Sequence, residues 1–85
     1  MSFALEFAPD ALSQWRELEL TLQELTLDKL DRIAAAGPHS RGVFVRDFTH
    51  PLGGLSHYVF LRLVWDAAGD TLAVLGVAHH ARPIG

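Results

Sequence analysis

The feature that most constrains this chain is the stretch from residue 57 to residue 82, HYVFLRLVWDAAGDTLAVLGVAHHAR. Two apolar runs rich in β-branched and aromatic residues flank the turn-forming cluster Asp66-Ala67-Ala68-Gly69-Asp70. Such an arrangement predicts a β-hairpin closed by a short loop. In the first run Val59, Leu61, Leu63 and Trp65 fall on one face, and Tyr58, Phe60, Arg62 and Val64 on the other, because side chains alternate along a strand. Both faces are largely apolar, which predicts an inner strand packed on each side. Arg62 interrupts that pattern. A lone buried charge is costly unless it is matched, so this cation needs either a structural partner or a site opening onto its face. The second run ends in His79, His80 and Arg82, and the hairpin therefore holds most of the chemistry the chain can offer.

The rest of the chain supplies what packs on the hairpin. Residues 2–7 alternate, with Phe3, Leu5 and Phe7 on one side and Ala4 and Glu6 on the other, a short strand. Pro9 suits the first turn of a helix, and Leu12, Trp15 and Leu18 mark one helical side over residues 9–19. Thr21-Leu22-Gln23-Glu24 has the form of a capping box and predicts a second helix over residues 22–36. Leu22, Leu25, Leu30 and Ile33 form its apolar face, and Gly37-Pro38 ends it. After a loop at residues 39–42 comes a strand over 43–48. A turn containing Pro51 and Gly53-Gly54 precedes the hairpin, and a frayed tail follows it. The expected fold is α+β, in the order β-α-α-β-β-β. Two N-terminal helices lie on one face of a four-stranded, mostly antiparallel sheet, in a single domain spanning residues 1–85.

Composition sets limits on function. The 85 residues contain no cysteine, which excludes disulfides and thiolate metal sites. No long apolar run or basic leader is present, so the expected location is the cytoplasm, with no membrane partner. The formal charge of −3 is unevenly distributed. Residues 1–36 carry seven acids and three cations, whereas residues 37–85 carry four arginines, three aspartates and all five histidines. The sheet half is thus the half suited to a phosphate or an acidic partner, although so slight an excess does not drive strong non-specific nucleic-acid binding.

Arg62 can grip a phosphate through its planar fork or pair with a carboxylate. His79 and His80 are neighbours on a strand and point to opposite faces, so they cannot chelate one metal together. Either is a candidate proton carrier or a structural histidine. His39, His50 and His57 are scattered, and no metal or other cofactor is expected. Trp15 and Trp65 read as core residues.

Taken in order, FAPDALSQWREL, the helix at residues 21–30 and the ending FLRLVWDAAGDTLAVLGVAHHARP resemble the RelE/ParE superfamily of toxins from type II toxin–antitoxin pairs. The resemblance covers nearly the whole chain. It implies a growth inhibitor neutralised by a cognate antitoxin and associated with plasmid stabilisation. Two targets are implied. ParE-like members inhibit DNA gyrase, and RelE-like members are ribosome-dependent endoribonucleases that cut mRNA. Arg62 and Arg82 stand where RelE-like members carry functional arginines, and in a nuclease His79 or His80 would move protons. The acidic charge and the absence of a C-terminal Tyr favour the ParE-like reading. A degenerate member that keeps only antitoxin binding is the third.

Overall fold

The computed structural model describes residues 4–38, 41–66, 68 and 70–84. The expectations for Phe3, His39 and the turn residues Ala67 and Gly69 lie outside the described residues. The elements are β1 (Ala4–Phe7), α1 (Pro9–Arg16), α2 (Leu20–Ala36), β2 (Val43–Leu52), β3 (Leu55–Asp66) and β4 (Thr71–Pro83). The described strands form one four-stranded sheet in the order β1-β4-β3-β2. β1 runs parallel to β4, and the other pairs are antiparallel. Both helices lie on one face of this sheet, as the change of period along the chain predicts.

The core forms where the apolar side of β3 meets the helices. Val59, Leu61 and Leu63 are fully buried, with Leu72 and Val74 of β4 beside them and Val77 nearly so. From α2 the row Leu22, Thr26, Leu30 and Ala34 points inward, one residue per turn. Thr26 is buried without penalty because its Oγ1 donates to the Leu22 carbonyl at 2.7 Å. α1 contributes Ala11 and packs along β4.

Four local expectations need correction. β3 is indeed an inner strand, yet the helices cover only its odd-numbered side. Phe60 is 40% exposed and Arg62 is exposed. An apolar pattern on two faces does not require two packed layers, since half-buried aromatics tolerate water.

The helix boundaries also shift. α1 stops at Arg16, and α2 begins at Leu20 with Glu19, not Thr21, at its N-cap. The side-chain amide of Gln23 holds this corner, donating to the carbonyls of Arg16 and Leu18, each at 3.0 Å. Trp15 Nε1 donates to the Gln23 carbonyl at 3.1 Å. The Arg16 carbonyl that α1 leaves free is thereby satisfied, and α2 starts at Glu19 with no side-chain cap, so the predicted capping box is not used.

β2 continues through Pro51 to Leu52. Proline is accommodated there because β2 is an edge strand. The turn shrinks to Gly53-Gly54, with φ of 64° and 78°, as a two-residue primed turn demands. The tail is less frayed than expected. β4 reaches Pro83, and the Ile84 amide donates to the Gly54 carbonyl at 3.2 Å.

The packing predicts a parity effect on β3. Leu61→Ala should cost about 2–5 kcal/mol in urea unfolding, and its neighbour Arg62→Ala less than about 0.5 kcal/mol. Equal costs at the two positions would show that both faces of β3 are packed.

Candidate functional site

A bulge in β4 decides which side chains share the open face. β3 pairs with β4 in unbroken antiparallel register from Leu55↔Pro83 to Arg62↔Gly76, and then Leu63 faces Val74. Leu75 is the extra residue. Before it Leu72 and Val74 point into the core; after it Val77, His79 and Ala81 take that side. The shift sends His80 and Arg82 to the other face, where the even-numbered residues of β3 stand.

Next to the bulge, β1 has ended and α1 takes its place beside β4. Gln14 Oε1 accepts the Val77 amide at 2.8 Å, giving a partner to a strand-edge donor that β1 does not reach. Gln14 is a positioning residue that no feature of the sequence singles out.

At the far end of the open face, Tyr58 joins two of the candidates, His80 and Arg82. Tyr58 lies opposite His80, with ring centroids 6.1 Å apart. Arg82 Nε donates to His80 Nε2 at 3.3 Å. With that nitrogen accepting, a neutral His80 holds its proton on Nδ1. Tyr58, Phe60, His80 and Arg82 line a shallow depression of about 200 Å³. Its aromatic planes and cationic fork suit a base beside a phosphate.

Arg62 occupies the same face at its other end. It pairs with Gly76, six residues from Arg82 along β4, a separation on the order of 20 Å. Gly76 presents no side chain, and a Cβ there would sit 3.8 Å from both Arg62 Nε and Gln14 Oε1. The stem of Arg62 therefore lies over bare backbone. It lines a second open depression of about 270 Å³ with Phe60, Val45 and Gln14. No carboxylate pairs with Arg62 or Arg82 among the described residues, where the ion pair seen is Arg32–Asp28 on α2 at 2.7 Å. The structural-partner account of Arg62 thus loses its support.

His79 is on the opposite face, as adjacency to His80 requires. Its Nε2 lies 2.9 Å from Nδ1 of the buried His57, and the two rings stack at 5.1 Å with planes 5° apart. His57 Nε2 lies 3.0 Å from the Leu52 carbonyl. A carbonyl only accepts, so a neutral His57 carries its proton on Nε2 and its Nδ1 accepts from His79. The His79 pKa is lowered, first by partial burial and then by repulsion from His57 and His80, against an opposing pull from Glu19. His50 lies opposite His57 on β2. No group of three or more metal-ligating side chains occurs among the described residues.

No family model matches the sequence, and no curated protein sequence matches it. Solved structures do. An arginine-to-alanine double mutant of the E. coli toxin RelE in the free state superposes with a TM-score of 0.67 at 19% identity, covering 92% of this chain and 83% of that one. The intact E. coli RelBE toxin–antitoxin complex gives 0.61 at 20% identity, covering 91% and 95%. A RelBE toxin–antitoxin complex from Mycobacterium tuberculosis gives 0.56 at 18% identity, covering 94% and 100%. At these identities the likeness establishes the fold: this chain has the fold of the RelE toxins. No helix among the described residues is long and apolar enough to cross a membrane.

The histidine stack gives a pH dependence whose sign is fixed. A histidine with a lowered pKa in the folded state binds fewer protons there than in the unfolded chain. Its contribution is present above the ordinary histidine value and is lost as pH falls below it. The melting temperature should therefore fall between pH 7 and pH 5. His79→Gln should flatten that slope, and an unchanged slope in the variant would remove the stack as its cause.

Proposed function

We propose that this protein is the toxin of a toxin–antitoxin pair, and that its open sheet face acts on single-stranded RNA. The observation carrying this reading is the convergence of Tyr58, His80 and Arg82 on the uncovered face, with an unpaired Arg62 farther along it. The fold, shared with free and antitoxin-bound RelE, supports the toxin class.

The arrangement fits strand cleavage by an internal nucleophile. A ribose 2′-OH attacks its own 3′-phosphate, the bond to the 5′-oxygen breaks, and a 2′,3′-cyclic phosphate and a 5′-hydroxyl result. The proton leaving the 2′-OH needs an acceptor, and the departing 5′-oxygen needs a donor. Among the described residues His80 is the one imidazole on this face. Its Nδ1 proton can pass to the leaving oxygen, and its Nε2 can accept a proton once Arg82 turns to the substrate. Arg82 then stabilises the charge that develops on the phosphoryl oxygens. Tyr58 and Phe60 offer rings for stacking bases. Arg62, about 20 Å away along the strand, grips a different phosphate of the same chain and holds its path. Catalysis thus rests on His80 and Arg82, with Arg62 as a binding residue, and His79 stays outside the mechanism.

Inhibition of DNA gyrase by surface occlusion is the second reading. The net charge of −3 favours it, because that charge does not draw the protein to ribosomal RNA.

The double variant Arg62→Ala/Arg82→Ala separates the two readings. Both side chains are exposed and neither meets a carboxylate among the described residues, so the variant should keep its circular dichroism spectrum and melt within a few degrees of the parent. Message cleavage during in vitro translation should drop by roughly 100-fold or more, and growth inhibition should disappear with it. A folded variant that remains fully toxic, with gyrase supercoiling blocked and message intact, would replace the RNA reading with the gyrase one.

A further inference from the structure

Gly76 stands apart from the other described glycines. Gly37, Gly42, Gly53 and Gly54 all have positive φ, which other residues adopt only with strain, whereas Gly76 does not. The bulge does not require it either, because the extra residue is Leu75. Glycine weakens a strand interior, and where the backbone makes no demand for it the reason left is room for a close approach.

The bare backbone of Gly76 is the floor of the depression of about 270 Å³ on the open face. Val45, Phe60 and Ala78 give it apolar walls, and all three are exposed to water. Its polar groups come from two sides. Arg62 Nε of β3 and Gln14 Oε1 of α1 each stand 3.8 Å from the point that a Gly76 Cβ would occupy. The bond from the Val77 amide fixes which way the Gln14 carboxamide lies, since an N–H needs an oxygen to accept it. Gln14 Nε2 therefore keeps its two protons for another partner, and it meets no acceptor among the described residues. No carboxylate among the described residues lines the depression. Its side chains thus offer donors, and their one acceptor, Gln14 Oε1, is already engaged.

We propose that this slot receives a keto nucleobase, uracil or guanine, and that Gln14 Nε2 selects it; the assignment rests on the RNA reading above. The flat ring would lie over Gly76 against Phe60, with its phosphate within reach of Arg62. Its carbonyl oxygen would accept from Gln14. Cytosine and adenine turn an amino group to the same edge, which sets donor against donor. A phosphate alone fits less well, because the walls are apolar. The slot lies on the order of 13 Å along β4 from His80, so it selects a nucleotide removed from the cleaved bond. Gln14 then serves twice, closing the strand edge through Oε1 and choosing the base through Nε2.

The test compares binding of oligouridylate and oligocytidylate of equal length to the full chain, by fluorescence anisotropy at one salt concentration. The two carry the same phosphates and differ at the base edge, so the ratio of their Kd values removes the electrostatic contribution. The parent should bind oligouridylate about fivefold more tightly, or better. Gln14→Glu keeps an oxygen for the Val77 amide and replaces the donor with an acceptor, so the preference should invert toward oligocytidylate. Gly76→Val fills the slot and should bring the two affinities together. In the parent, the Gln14 carboxamide protons should shift in NMR spectra with oligouridylate and stay in place with oligocytidylate, a readout that needs no variant to fold. A Gln14 that only closes the strand edge predicts the parent's preference unchanged in Gln14→Glu, and that result would overturn the inference. Equal binding of both RNAs by the parent would overturn it too, marking the slot as a phosphate site. A parent that binds neither RNA would remove the RNA reading itself.

Discussion

The register between β3 and β4 is the constraint on which the rest of this molecule depends. Twelve residue pairs link the two strands, and one residue, Leu75, is left out of the pairing. Side chains alternate strictly along a strand, so one extra residue exchanges the two faces for everything beyond it. Without it, Gly76, Ala78 and His80 would be turned into the core, and Val77 would face water. With it, the apolar residues on both sides of the bulge contribute to one core, and the polar end of β4 is delivered to the uncovered face. The bulge lies beside the place where β1 ends and Gln14 takes over a strand-edge donor. Packing, edge protection and site geometry are thus settled within a few residues.

Two faces with different tasks follow from this. The covered face holds the core and the histidine stack of His57 and His79. The open face holds Tyr58, Phe60, Arg62, His80 and Arg82. Arg62 sits directly behind the best-packed layer of the protein, since Leu61 and Leu63 on either side of it are fully buried. A rigid strand therefore carries an unpaired cation. Side chains set on a strand with a packed rear face are held more closely than side chains on a loop, which suits the proposed path of an RNA strand across this face.

Much of the fold was legible in the sequence. The change from period two to helical period and back identified every element, and the alternation in β3 by itself sorted Arg62 with Tyr58 and Phe60. The adjacency of His79 and His80 placed them on opposite faces. Legibility failed where an outcome depended on partners distant in sequence. Whether the second face of β3 was covered could not be read from its composition, because Phe60 and Val64 look the same beneath a helix or beneath water. The helix corner followed Gln23 and not the capping box at Thr21, since the deciding bonds run back to the carbonyls of Arg16, which ends α1, and of Leu18 in the corner. The bulge at Leu75 left no mark: LAVLGVA reads as continuous strand, and Gly76 is the only hint of irregularity. For the site, the residue types were visible. The grouping of His80 with Tyr58 and Arg82, and the distance of Arg62 from them, required the register.

The central claim is that the uncovered face of the sheet is the working face. Its most direct measurement is an NMR titration of the isotope-labelled protein with a short single-stranded RNA. Shifts should concentrate on Tyr58, Phe60, Arg62, His80 and Arg82, while Phe44, Phe48 and Trp65 on the other face remain unmoved. Shifts confined to the helix-bearing face, or none at RNA concentrations well above that of the protein, would contradict the account.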